Sequence, residues 1–134
     1  MGLVQLVYAS QPFGYDDAML RGILADARRC NTRDDITGAL ICRADLYLQL
    51  LEGPEAAVEA AYERITRDHR HLDVSRLLAG PTEQRMFPGW AMRDVPARSW
   101  MWSQKAVGVG APLRAGREEL LQVFKRLSEE PTPA

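Results

Sequence analysis

A chain of 134 residues with a formal net charge of −1 fits one domain, and it can bury about two thirds of the surface its unfolded form exposes, so folding requires no disulfide or structural metal. Acids and bases are interleaved without a basic block, which removes the electrostatic footprint of a nucleic-acid binder. Cys30 and Cys42 have no metal-ligand spacing, the N-terminus has no charged segment followed by a long apolar one, and no apolar run approaches the roughly 18 residues of a membrane span, so the sequence predicts a soluble cytosolic protein with free thiols.

Residues 3–8 read as a first strand ending in Tyr8, broken by Gln11-Pro12-Phe13-Gly14. Asp16 or Asp17 caps a helix that runs to about Arg29, with Leu20, Ile23, Leu24 and Ala27 on one face. The polar run Asn31-Thr32-Arg33-Asp34-Asp35 leads into a second strand over 36–42, and Arg43-Ala44-Asp45 turns directly into a third, Leu46-Tyr47-Leu48-Gln49-Leu50-Leu51, to give a hairpin. Glu52-Gly53-Pro54-Glu55 ends that strand and starts a second helix, with Pro54 near its first position and Val58, Ala61, Tyr62 and Ile65 at helical spacing. A fourth strand is predicted over about 73–79 and a fifth over about 89–95, after Pro88-Gly89.

The order β-α-β-β-α-β plus one strand is the split βαβ, ferredoxin-like arrangement of an α+β domain, in which the first and third strands are neighbours. Right-handed crossovers put both helices on one face of the sheet. Strand alternation places Val4, Leu6 and Tyr8 on one face with Tyr47, Gln49 and Leu51. A buried primary amide costs about 1–3 kcal/mol unless its donors and acceptors are matched, so Gln49 implies a polar site inside the core. The opposite face, Leu3, Gln5, Val7, Leu48 and Leu50, is also mostly apolar and must be covered. The candidate cover is a C-terminal helix after Gly116, with a stripe of Leu120, Leu121, Phe124 and Leu127. Residues 97–112, with Trp100, Met101 and Trp102, read as a partly apolar connector, and 129–134 as a disordered tail.

Read from their own positions, Ile23 and Ile65 are core residues of helical stripes, and Asn31 is a helix C-cap in left-handed conformation. Arg64, Asp68, Arg70 and His71 form a solvated charged helix end, Tyr8 is an amphipathic core residue, and Trp90 and Met92 pack at core and rim.

A resemblance adds a second reading. Tyr8-Ala9-Ser10, Asn31, Ile36-Thr37-Gly38-Ala39-Leu40-Ile41, Leu48-Gln49-Leu50-Leu51-Glu52-Gly53-Pro54, Arg67-Asp68-His69-Arg70-His71 and Phe87-Pro88-Gly89-Trp90-Ala91-Met92 stand in an order and spacing that resembles the BLUF family of FAD-binding blue-light sensors, over residues 3–95. The resemblance implies non-covalently bound FAD, with FMN and riboflavin as alternatives, its ring clamped by Ile23 and Ile65 and its carbonyl edge bonded by Asn31. Arg64, Asp68, Arg70 and His71 would contact the ribityl chain, phosphates or ring edge. Cys30 departs from the family pattern, where asparagine or histidine is usual, and puts one flavin hydrogen bond in doubt.

The resemblance also assigns photochemical roles. Tyr8 would give an electron to the excited flavin while Gln49 relays the proton, and Trp90 and Met92 would compete for the place beside Gln49. Gln49 suits a relay because its amide has a donor end and an acceptor end. The implied protein is a photoreceptor and not an enzyme: a sensor over 1–96, with a connector and helical cap over 97–134. With only about forty residues after Val95, it would signal to a separate partner protein through the Trp100-Met101-Trp102 cluster and the C-terminal helix, and would form a homo-oligomer.

Two alternatives stand beside it. A light-indifferent ferredoxin-like interaction module would have lost its flavin through Cys30. An acylphosphatase-type hydrolase would need a glycine-rich phosphate cradle with a nearby arginine, which residues 9–14 lack.

Overall fold

The computed structural model describes residues 2–14, 16–98 and 100–130. Its elements are β1 (Leu3–Pro12), α1 (Asp17–Asp34), β2 (Thr37–Arg43), β3 (Leu46–Pro54), α2 (Glu55–Thr66), β4 (His71–Thr82), β5 (Arg93–Pro96), α3 (Gln104–Gly108), α4 (Ala111–Arg114) and α5 (Arg117–Ser128). The sheet order is β4-β1-β3-β2-β5. Each hydrogen-bonded pair among the first four strands is antiparallel and β5 adds parallel to β2, so the ferredoxin-like arrangement with an additional edge strand is present.

β3 is the central strand and is buried from Leu46 to Gly53. Its neighbour β2 approaches closely at Gly38, where a Cβ would stand 1.9 Å from the Leu50 carbonyl oxygen, so only glycine fits.

Two apolar clusters result, one on each face. On the helix side Leu6, Tyr8, Tyr47 and Leu51 pack under Ile23 and Leu24 of α1 and Val58 and Ala61 of α2. On the reverse side Val7, Leu48 and Leu50 pack under Leu120, Phe124 and Leu127 of α5, the stripe that the sequence assigned to this face. Val123 joins that stripe at 8% exposure, and Leu121 lies at its flank. None of the described helices is long and apolar enough to cross a membrane.

Several expectations need correction: β1 runs on through Gln11 to Pro12, which pairs with His71, and β4 spans His71–Thr82. α1 continues to Asp34, and its left-handed cap is Asp35 with φ 59°. The run 30–34 lacks glycine and proline, so nothing in it interrupts the helix, and within it Thr32 and Arg33 face solvent. Asn31 is therefore a buried helical residue and not a cap. β5 begins only at Arg93, leaving Trp90 and Met92 on the preceding loop, because the Trp90 N–H turns back to the Phe87 carbonyl at 3.0 Å.

The connector folds into the two short helices α3 and α4, and Trp100, Met101 and Trp102 pack partly buried against the reverse-side core. Of the expected tail, Glu130 pairs with Arg98 at 3.0 Å, and 131–134 lie outside the described residues.

Candidate functional site

α1 and α2 lean over the sheet with a cleft between them of about 240 Å³. Ile23 from α1 and Ile65 from α2 line it on opposite sides, and Leu51 and Gln49 of β3 contribute from the sheet. Asn31, Arg64, Asp68, Arg70 and His71 complete the expected set. The structure thus brings eight of the sequence-derived residues around one cavity, and Tyr8 reaches it through Gln49.

Tyr8 and Gln49 are register partners on β1 and β3, which fixes their side chains side by side on the helix face. The Tyr8 hydroxyl donates to Gln49 Oε1. Burial pushes the Tyr8 phenol well above its ordinary value, and the nearby Asp68 carboxylate adds to this, so it is a neutral donor. Gln49 Nε2 in turn donates to the Met92 thioether sulfur at 3.2 Å. Phenol, amide and thioether form one polar chain in which every group is buried: Tyr8 is 0%, Gln49 4% and Met92 1% exposed.

Trp90 lies elsewhere. It packs half-buried on the reverse-side cluster, with the Arg93 guanidinium 5.6 Å from its ring centre. Asn31 donates through Nδ2 to the Ala91 carbonyl at 2.7 Å, so this amide holds the backbone between Trp90 and Met92.

The α2 end of the cleft is ionic. Arg70 bonds Asp68 at 2.7 Å and Asp26 at 2.9 Å, which ties α1 to the turn between α2 and β4. Burial raises the Asp68 carboxyl, but its bonds from Arg70 outweigh this and hold it below the ordinary value. Arg64 and Arg33 share Asp34 at the mouth. His71 is buried beside Tyr8 and Tyr47, with Nδ1 2.8 Å from the Ser10 hydroxyl, and burial lowers it to about 4. It is neutral near pH 7.

Asp26, Ala27, Arg29 and Cys30 also line the cleft. The positions 23, 26, 27, 30 and 31 follow one helical face, and this spacing carries the signal once α1 is extended to Asp34. Arg28, which donates to the Met92 carbonyl at 3.1 Å and to Asp94 at 2.9 Å, left no such signal, because it depends on where β5 docks.

The donor set fits a flavin. Two branched aliphatic walls suit a flat tricyclic ring, the amides of Gln49 and Asn31 suit its carbonyl and nitrogen edge, and Arg29 and Arg64 at the mouth suit phosphate. The cleft is open on one side and its volume is below the roughly 300–1,000 Å³ of drug-sized ligand sites, so it suits the ring system alone.

Residues 3–93 match the family model of BLUF, the sensors of blue-light using FAD. The chain is 38% identical over 94 residues to the photoactivated adenylate cyclase subunit beta of Euglena gracilis, an alignment that covers 67% of this chain and 11% of that protein. It spans about a tenth of the length of these cyclase relatives. Among solved structures, BlsA in its ground state superposes with a TM-score of 0.81 at 27% identity, covering 98% of this chain and 91% of that one. BlrB, a BLUF protein in its dark state, gives 0.77 at 26% identity, covering 95% and 96%. The polar chain on β1 and β3 and the aliphatic cleft above it thus sit within a matched family region: the chain belongs to the BLUF family of blue-light sensors that use FAD.

Proposed function

We propose that this chain is a blue-light sensor that holds FAD between Ile23 and Ile65 and converts light into a reorientation of the Gln49 amide. The observation that carries the reading is the continuous bond path from Tyr8 through Gln49 to Met92. When bound, a flavin would supply blue-light absorption and, once excited, an oxidant for the Tyr8 phenol.

The protein's own part is proton placement. In the present arrangement the Tyr8 O–H needs an acceptor and receives Gln49 Oε1, while the thioether, a weak acceptor, receives Nε2–H. Rotating the amide would turn Oε1 toward Met92 Sδ, which has no proton to give. The rotated state therefore favours a donor in that place, and the Trp90 indole N–H is such a donor. Met92 matches one amide orientation and Trp90 the other, which makes residues 90–92 the two-state element that the amide biases.

Asn31, Arg64, Asp68, Arg70 and His71 hold the ring edge, ribityl chain and phosphates; FAD is the flavin that the family match favours, with FMN and riboflavin as the other candidates. Residues 1–96 act as the sensor and 97–134 as its cap, which passes the signal to a separate partner protein and joins copies of the chain. Cys30 and Cys42 are thiols and not a disulfide, which suits a reducing, cytoplasmic setting.

The test is an absorption spectrum of the purified protein before, during and after blue illumination. A flavin spectrum with a small reversible red shift is the expected result. A preparation that rejects added FAD, FMN and riboflavin, or a bound flavin whose spectrum never shifts, sinks the reading.

A further inference from the structure

We infer that Glu52 is a positioning residue for the light switch: its carboxylate, on the sheet face opposite Gln49, pins the upstream end of the loop that carries Trp90 and Met92. The inference rests on the sensor reading above and adds a residue to it.

Glu52 lies on β3 and is 1% exposed. Among the described residues it forms no ion pair; its compensation comes from hydrogen-bond donors. Oε1 accepts the Met86 N–H at 2.9 Å, and Oε2 accepts the Phe87 N–H at 3.0 Å and the Thr37 hydroxyl at 3.3 Å. Two consecutive backbone amides of the loop after β4 are thereby tied to the centre of the sheet, each to its own oxygen. Arg85 reinforces the tie, donating to the Glu52 carbonyl at 3.1 Å and to Thr37 Oγ1 at 2.8 Å.

The pin has a defined reach. Phe87 is buried on the reverse side, and the chain next enters regular structure at Arg93, so residues 88–92 span between two fixed ends. Within that span the carbonyls of Trp90, Ala91 and Met92 are held by the Gly38 N–H at 3.1 Å, Asn31 Nδ2 at 2.7 Å and Arg28 Nε at 3.1 Å. Exchange of Met92 for Trp90 beside Gln49 must break these three bonds while the Glu52 pair stays closed. A carboxylate is the group that can do this, since the Met86 and Phe87 N–H groups are each aimed at a different side-chain oxygen of residue 52, and both positions must accept. Glutamine offers only one, and either amide orientation leaves a backbone N–H facing an NH2 group.

Glu52→Gln is isosteric and leaves every residue of the flavin cleft untouched. The variant should bind flavin with the wild-type spectrum and still show the red shift, but recover in the dark roughly three- to tenfold faster, because a slack anchor lowers the barrier to loop exchange. Unchanged recovery, including the case in which only the melting temperature falls, overturns the inference. Hydrogen exchange on the wild-type protein decides the matter if the variant does not fold. The Met86 and Phe87 amides should stay protected in darkness and light while the Gly38 amide, whose partner is the Trp90 carbonyl, exchanges faster on illumination. Loss of protection at all three together overturns the anchor. A wild-type protein with no reversible shift instead sinks the sensor reading and the role of Glu52 with it.

Discussion

A double-mutant cycle on Tyr8 and Gln49 probes the centre of the site. Tyr8→Phe keeps the ring between Tyr62 and His71, whose centres lie 6.0 and 5.9 Å away, and removes only the hydroxyl. It leaves Gln49 Oε1 buried without that donor, at a cost of about 1–3 kcal/mol. Gln49→Met keeps the side-chain length and orphans the phenolic proton, at a similar cost. Removing both leaves neither group unmatched, so the double variant should be more stable than the sum of the singles by about 1–2 kcal/mol. With a urea slope of about 1–3 kcal/mol per molar for a small domain, the double variant's midpoint should lie roughly 0.5–1 M above the additive expectation. The assay is urea unfolding at one fixed, saturating flavin concentration, because ligand binding itself adds stability. Each single variant should load flavin and lack the reversible red shift. Additive free energies within about 0.5 kcal/mol would show that the two side chains do not share a bond, and a normal photocycle in either variant would remove it from the switch.

Phe124→Ala, at a fully buried position of α5, should cost about 3–5 kcal/mol and lower the melting temperature by roughly 10–20 °C; a shift of only a few degrees would mean that α5 is not part of the core. His71 gives a pH signature. Its folded value of about 4 lies below the unfolded 6.5, so the unfolded chain binds the extra proton between these pH values. Stability should therefore fall by about 3 kcal/mol as pH drops from 6.5 to 4, and His71→Gln should flatten that slope; an unchanged slope assigns it to other groups. Arg93→Met removes the donor 3.1 Å from the Leu127 carbonyl at the end of α5 and should cost about 1.5 kcal/mol, with faster hydrogen exchange confined to the last turn of α5 and to Trp90; equal exchange along the whole chain would count against the link.

The pairing of β1 with β3 was legible from the order of the elements, and both apolar faces from period-two alternation. Tyr8 and Gln49 follow from that alternation, and the α5 stripe from helical spacing. The end of α1 was misread because Asn31-Thr32-Arg33-Asp34 looks like a loop, whereas Asn31 is buried by the Ala91 backbone, 60 positions away. Glu52 read as the end of a strand because a buried carboxylate is implausible until Met86 and Phe87 bring their amides to it. Trp90 and Met92 were placed together on β5, but the Phe87 turn delays that strand, and the two side chains part to opposite sides of the sheet. For Asn31 and Glu52 the deciding partner comes from a distant stretch of chain, and local pattern carries no trace of it.

That parting of Trp90 and Met92 bears on how a change at Gln49 reaches the cap. The sheet separates two apolar cores, and side chains on its opposite faces do not touch. Residues 90–93 run along its β2 edge and contribute to both sides: Met92 closes the helix-side cluster at Gln49, while Trp90 and Arg93 pack on the reverse side. Arg93 also grips the end of α5 through the Leu127 carbonyl. A swap of Met92 for Trp90 would withdraw the indole from under the Arg93 guanidinium and alter the packing against α5. Because the two residues occupy discrete sites of different size, such a change would be all-or-none, and a small movement of one buried amide would become a repacking of the cap.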